Sequence, residues 1–390
     1  MNLTSKIKKG EKRPYQICKR CVMDTSDPWI EFDSDGICNH CKTYFEKIFM
    51  PNKGDKINKK SLEDLFKEIK KNKKNKSKHD VVVGISGGTD SSYVTYLAHK
   101  AGLKVLAVHM DNCWDTPIAI KNINKLISLD NVDYCSEVLN WNTFKNVQKI
   151  FIESGLPDIE LPTDSAIAAA IPRIAVKYGV KAILSGGNYS SEGILPSSWM
   201  YNPKDSLFLK SIFRKSGKSF NLFERFHFGF RDEMKYRFFY KLKTYYPLNT
   251  FNYDKENAKK VLKQAINWES FEGKHCESIY TKFCQLIYQP KRHGIDYRRP
   301  LLASYICNSK ITRKDALTIL EEPPWEDLNV EHELSFISNK LGYELSELKE
   351  LMKKKPLWYK DYFNNEFFMN KIYNFYRLIN GKPLSTSWWG

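Results

Sequence analysis

The 390-residue sequence predicts an α/β protein: an open, mostly parallel sheet, preceded by a small cysteine module and followed by a mostly helical C-terminal region. Three observations point there. From Asp80 onward, short apolar runs alternate with helix-like segments, as in a sheet covered on both faces. Four cysteines fall as two Cys-x-x-Cys pairs between Cys18 and Cys41. Beyond about residue 200 the alternation gives way to an aromatic-basic stretch and helical periodicities.

The elements follow in order. Leu62, Leu65, Phe66 and Ile69 recur at helical spacing, with Ser61 and Asp64 placed as a capping box, so the Lys- and Asn-rich linker carries one helix. Val81-Val82-Val83-Gly84-Ile85 reads as a buried strand. The next helix puts Val94, Leu97, Ala98 and Ala101 on one face, and Gly102 stops it. Val105 to Met110 is a second strand, 116–129 a helix, and 132–138 a third strand. Helices at 143–154 and 165–178 lead to the strand Ala182-Ile183-Leu184. Helical stretches are expected again at 255–266, 312–322, 331–341 and 365–380. The chain thus divides into 1–50 (cysteine module), 51–79 (linker), 80–200 (α/β domain), 201–330 (aromatic-basic helical region) and 331–390 (C-terminal helical segment).

Lys and Arg total 62 against 45 Asp and Glu, a formal charge of +17. The excess suits anionic partners such as nucleotides, nucleic acid or acidic headgroups, although lysines spread over a solvated surface would give the same number. No run of about 18 apolar residues predicts a spanning helix. The basic N-terminus lacks an apolar core for a secretory signal, so the cytoplasm is the expected compartment. Nine cysteines, an odd number, argue for a metal and buried thiols over a disulfide framework.

Ser86-Gly87-Gly88-Thr89-Asp90-Ser91-Ser92 directly follows the first strand and opens a helix. The glycines let backbone approach an anion, and the amides and dipole of the first helical turn favour phosphate. Ser86, Ser91 and Ser92 can donate hydroxyl hydrogen bonds, while Asp90 needs a cation beside phosphate, so Mg²⁺ or orientation of the loop is its expected role. No Lys follows the glycines, which excludes the Walker loop. The string matches the SGGxDSS signature of PP-loop ATP pyrophosphatases, which bind the β- and γ-phosphates as a leaving group. Ligands of such sheets sit at the C-terminal strand ends. There, His109-Met110-Asp111-Asn112 closes the second strand and Ser185-Gly186-Gly187-Asn188-Tyr189 the last one. Asp111 either meets nucleotide or caps its own loop. Gly186, Gly187 and Asn188 are expected beside the nucleotide.

Cys18, Cys21, Cys38 and Cys41 have the spacing of a four-thiolate zinc ribbon, with a small hairpin between the pairs. Four thiolates leave no open position, so a bound Zn²⁺ would be structural, and His40 would stand outside the ligand set.

CKRCVMDTSDPWIEFDSDGICNHC, then VVVGISGGTDSSY, then GKHCESIYTKFCQLIYQPKRHGIDYRRPLLASYI with KDALTILEEPPW, resembles the N-acetyl sugar amidotransferase family of surface-polysaccharide and nonulosonic-acid pathways. The likeness runs from about residue 15 to 330, and 331–390 aligns only loosely. It implies an adenine-nucleotide alpha-hydrolase-like (PP-loop) fold and a cytoplasmic enzyme that spends ATP as AMP and pyrophosphate. The enzyme adenylates the N-acetyl carbonyl oxygen of a sugar and lets ammonia replace it, giving an acetamidino group. ATP, Mg²⁺ and structural Zn²⁺ are the implied cofactors. The implied partners are an N-acetyl sugar, nucleotide-linked or a nonulosonic acid, and a separate glutaminase supplying ammonia, because no glutaminase motif is recognisable here. Nucleic acid is not an expected partner, and a homo-oligomer is left open. Asp90, Lys274 and Arg298 are the implied catalytic groups, with His275, Lys282, Lys291, Arg292 and Arg299 as further bases around phosphate or an acidic sugar. The competing reading is a tRNA 2-thiolation enzyme with the same adenylation chemistry, which would need a reactive cysteine or an iron–sulfur cluster near the loop. Cys113 and Cys135 form no Cys-x-x-Cys pair, and buried inert thiols suit them better. The stretch 207–251 could bind single-stranded nucleic acid or an anionic membrane, or simply turn its rings inward.

Overall fold

The computed structural model describes residues 14–46, 61–72, 77–271 and 277–379. At its centre lies a five-stranded, wholly parallel sheet in the order β3-β2-β1-β4-β5. The strands are β1 (Val81–Ile85), β2 (Val105–Asp111), β3 (Val132–Val138), β4 (Ala182–Leu184) and β5 (Lys243–Tyr245). Valine-rich β1 sits in the middle, and Val81, Val82 and Val83 are completely buried, as a strand covered on both faces requires. Helices Thr89–Lys100 and Pro117–Ile127 follow β1 and β2, while Trp141–Ser154 and Leu161–Lys177 join β3 to β4. The chain grows outward from β1 through β2 to β3, then returns to the other side as β4. That reversal is the switch point at which open sheets bind ligands.

The expected strands and helices of residues 81–184 are all present, with ends shifted by at most a few residues. The linker helix is Leu62–Lys71, with Ser61 Oγ accepting from Asp64 N at 3.1 Å, and it buries Leu65, Phe66 and Ile69. Sequence reasoning missed β5. It lies inside the aromatic-basic stretch read as helical, and it pairs Lys243, Thr244 and Tyr245 with β4. The rings of that stretch divide: Phe208, Phe213, Phe223, Phe226 and Phe228 are buried, most of the others are partly covered, and Phe238 and Phe239 are 56% and 76% exposed.

The cysteine module packs against the C-terminal helix Arg298–Cys307, sharing a core of Val22, Ile30, Tyr44, Trp199, Leu302 and Ala303. Small antiparallel bridges join Ile17 with Asp24 around the first cysteine pair and Phe32 with Cys38 in the segment where a hairpin was expected. Arginines from the far end of the chain brace it. Arg313 donates to Cys18 O and Cys21 O at 3.0 Å, and Arg299 donates to Val22 O at 2.7 Å. No described helix is long and apolar enough to cross a membrane.

Candidate active site

The Ser86–Ser92 loop leaves the C-terminal end of β1 and enters the helix Thr89–Lys100. Gly87 adopts φ +76°, and a Cβ there would meet Ala119 O at 2.5 Å, so only glycine fits. Its carbonyl is held inward by Asn122 Nδ2 at 3.3 Å and by Trp268 Nε1 at 3.2 Å. The carbonyl dipole is thereby turned away from the place an anion would take. Gly88 is the N-cap and no side chain caps the helix, leaving the first-turn N–H groups for a ligand. Across the loop, Gly186 comes so close to it that a Cβ would stand 3.0 Å from Ser91 N.

The predicted residues divide. Ser86 and Ser91 line the loop, with hydroxyls 3.4 Å apart. Ser92, expected to donate to phosphate, is fully buried and accepts from Trp268 Nε1 at 3.2 Å. Asp90 is held by Tyr253, whose hydroxyl donates to it, and by Lys255 at 3.4 Å. Asn188 is 4% exposed and caps the short helix Tyr189–Glu192, accepting from Ser191 N at 3.0 Å, so it shapes the turn. Gly187 N donates to Ser185 Oγ at 3.1 Å in the same turn. Asp111 Oδ1 accepts from Cys113 N at 2.9 Å, the loop-capping role. Lys274 and His275 lie outside the described residues.

The remaining predicted bases are braces. Arg298, expected to be catalytic, forks onto Asp296 at 2.7 Å and donates to Ile319 O and Glu322 O, which engages all three of its guanidinium nitrogens. Arg299 pairs with Asp24 at 3.1 Å. Arg292 is buried and donates to Ile152 O and to the Tyr288 hydroxyl. Lys282 pairs with Glu333 at 2.6 Å, and Lys291 lies 4.4 Å from the Trp325 ring centre.

Residues with no local signal complete the site. Lys255 and Tyr253 arrive just before the helix Lys255–Ile266 or at its start, and Glu277 lies 3.2 Å from where a Gly88 Cβ would be. Burial works to lower the Lys255 pKa, but Asp90 and Glu277 outweigh it and push the ammonium up. Glu277 is fixed by its neighbours: Thr116 N donates to Glu277 O, and Ile279 N to Trp114 O. Beyond it lies an acidic recess at the start of the helix Leu161–Lys177. Burial pushes Glu160 up to about 8, with the Thr281 hydroxyl and Gln285 Nε2 donating to it. Burial and then Glu192 push Asp164 up to about 7, and burial raises Asp158 strongly. By surface area Glu160 and Asp164 are only half-buried, so they sit deep while still reached by solvent. At the end of β2, His109 bonds Ile85 O and Asp115 Oδ2, both at 3.0 Å; burial lowers its pKa, and Asp115 more than restores it.

In the cysteine module the four Sγ atoms of Cys18, Cys21, Cys38 and Cys41 lie within 4.8 Å of one another, with pairs at 3.7 and 3.9 Å. Zn–S bonds of about 2.3 Å in a tetrahedron put sulfurs about 3.8 Å apart, so the set fits such an ion. Backbone N–H groups of Arg20, Cys21, Met23 and Cys41 point at these sulfurs at 3.4–3.5 Å. His40 stands outside, bonded to Asp27 at 2.7 Å. Cys307, distant in sequence, brings a fifth buried sulfur to 3.9 Å from Cys41 Sγ.

A glycine loop on an uncapped helix, set at the switch point of a parallel sheet, defines a PP-loop nucleotide-binding protein. Comparison with known families carries this further. Residues 61–137 match the NAD synthase family, and residues 277–377 match the LPS biosynthesis protein WbpG-like C-terminal domain. Together they support the amidotransferase resemblance within the PP-loop superfamily and an ATP-dependent adenylating enzyme. The second match runs past residue 330, where the sequence likeness had thinned. No curated protein matches the chain. Among solved structures, similar chains include the NH3-dependent NAD synthetase from Campylobacter jejuni (17% identity, 46% of this chain, 81% of that one, TM-score 0.29). Others are NMN synthetase from Francisella tularensis (13%, 57% and 100%, TM-score 0.28) and the U34-tRNA thiolase NcsA from Methanococcus maripaludis with its 4Fe-4S cluster (11%, 67% and 80%, TM-score 0.31).

Proposed function

We propose that this chain is the synthetase part of an ATP-dependent amidotransferase, which adenylates the N-acetyl carbonyl oxygen of a sugar and installs an acetamidino group. The carrying observation is the loop whose Gly87 carbonyl is pinned inward while the first-turn amides stay uncapped, in a chain that ends in a WbpG-like domain. Loop amides then hold the β- and γ-phosphates, leaving the α-phosphorus for the substrate oxygen. Mg²⁺, when bound, supplies charge neutralisation, and Asp90 and Glu277 are the carboxylates beside the loop that would hold it. Lys255 supplies positive charge where the pyrophosphate leaving group develops negative charge, and Lys274 is the further base we assign to that task. Asp164, tuned to about 7, accepts the proton of ammonia as it adds to the activated carbon. Zn²⁺ is the ion we assign to the four cysteines, in a structural role. Sulfur transfer to tRNA is disfavoured because burial, then Asp111, pushes the Cys113 thiol up and keeps it protonated.

The test supplies candidate N-acetyl sugars, nucleotide-linked and nonulosonic, with ATP, Mg²⁺ and an ammonium salt. AMP and an amidine product should form only with the true acceptor. AMP release that ignores every N-acetyl sugar would defeat the reading.

A further inference from the structure

We propose that the outer face of the helix Glu366–Ile379, with the adjoining turn Lys235–Phe239, docks on an anionic lipid bilayer. Large apolar side chains crowd this face. Phe367 is 74% exposed, Phe368 62%, Phe375 64% and Leu378 72%, and Phe363 just before the helix is 66% exposed. Their spacing, with Lys371 among them, follows one side of a helix. The opposite side is well seated. Met369 is 5% exposed, the Tyr373 hydroxyl donates to Glu233 at 2.9 Å, and the Tyr373 ring meets Phe230 edge-on at 5.9 Å. Phe230–Met234, on which the helix rests, runs straight into the turn bearing exposed Phe238 and Phe239.

Cations accompany the rings. Lys371 Nζ lies 4.2 Å from the Phe367 ring centre, and the Arg214 guanidinium 5.0 Å from that of Phe363. Residues 207–245 hold ten Lys and Arg against three Asp and Glu. Two of those acids are engaged internally, Glu233 with Lys204 at 2.8 Å and Asp232 with Gly229 N at 2.9 Å.

Charge selects the occupant. A second copy would set one basic face of a +17 chain against another. A purely polar polyanion would satisfy the cations and leave the phenyl groups in water. An anionic bilayer offers phosphate at the depth of the Lys and Arg heads and hydrocarbon beneath for the rings. Among the described residues no helix crosses a membrane, so the contact is peripheral.

Full-length protein is sedimented with vesicles of phosphatidylcholine alone or mixed with phosphatidylglycerol, at low and at physiological salt. Binding is expected only with phosphatidylglycerol, weakening as salt rises. The variant F367S/F368S/F375S should lose on the order of tenfold or more in affinity while keeping every charge. The turn variant F238S/F239S should lose affinity too, and both should keep the wild-type circular dichroism. The proposal is overturned by absence of binding to phosphatidylglycerol vesicles at low salt, by equal binding to both lipids, or by folded variants that bind like wild type. A wild-type dimer that the phenylalanine variant dissociates would overturn it as well, assigning the face to a second copy.

Discussion

Gly87 shows how much of the site rests on a single backbone position. Its left-handed φ and the 2.5 Å clearance to Ala119 O leave no room for a methyl group. Gly87→Ala should therefore cost roughly 1–3 kcal/mol of stability. By displacing the amides it should also lower the AMP-forming rate on the order of 100-fold. Thermal unfolding and steady-state AMP assays read the two effects separately. Lys255→Met removes the ammonium from Asp90 at 3.4 Å, and the rate should fall roughly 10- to 1000-fold with the fold retained. An unchanged rate would take Lys255 out of the site. The glycines were legible in the sequence because strand, glycines and helix start are contiguous. Lys255, Tyr253, Trp268 and Glu277 were not, because each reaches the loop from about 160 residues or more along the chain and carries no local signature. The internal bonds of Ser92 to Trp268 and of Asn188 to Ser191 were not legible either, because a motif position does not reveal which way a side chain turns.

Among the elements, the cysteine module depends on the C-terminal region as much as on its own spacing. Arg313 spans the carbonyls of Cys18 and Cys21, and loss of such charge-assisted bonds costs about 1.5–3 kcal/mol. Arg313→Ala should lower the unfolding midpoint and speed metal loss to a chelator, followed with a colorimetric zinc indicator. Retention at the wild-type rate would mean that the thiolates alone hold the module. Two Cys-x-x-Cys pairs were legible from spacing because a four-thiolate metal site demands that spacing. Cys307 and the arginines could be placed only by the fold. Strand β5 escaped detection because three residues, Lys-Thr-Tyr at a sheet edge, are too short for period-two alternation to register amid so many rings and bases.

The molecule as a whole should record its acidic recess in its pH dependence. The folded pKa values of Glu160, about 8, and Asp164, about 7, lie above their ordinary values of 4.5 and 3.8. Below about pH 4 both states hold these protons and the groups cost nothing. As pH rises, the unfolded chain releases protons that the folded chain keeps, so stability falls until about pH 8. Glu160→Gln should flatten that decline in chemical denaturation, and a slope identical to wild type would remove Glu160 from the account. Asp164→Asn should abolish the limb of the rate profile near pH 7 while leaving the KM for ATP in place. The alternating α/β order was readable at this scale, since apolar periodicity reports directly on a sheet covered by helices. The recess was not, because Asp158, Glu160 and Asp164 look in sequence like an ordinary helix start, and burial, with neighbouring carboxylates, is what shifts them. The central claim is that a substrate acyl oxygen attacks the α-phosphorus held open by the loop. Its most direct measurement is turnover of the acceptor sugar labelled with oxygen-18 in the acetyl carbonyl, with mass analysis of the released nucleotide. The label is predicted in AMP, with unlabelled pyrophosphate beside it; ADP as product, or AMP free of label, would contradict the account.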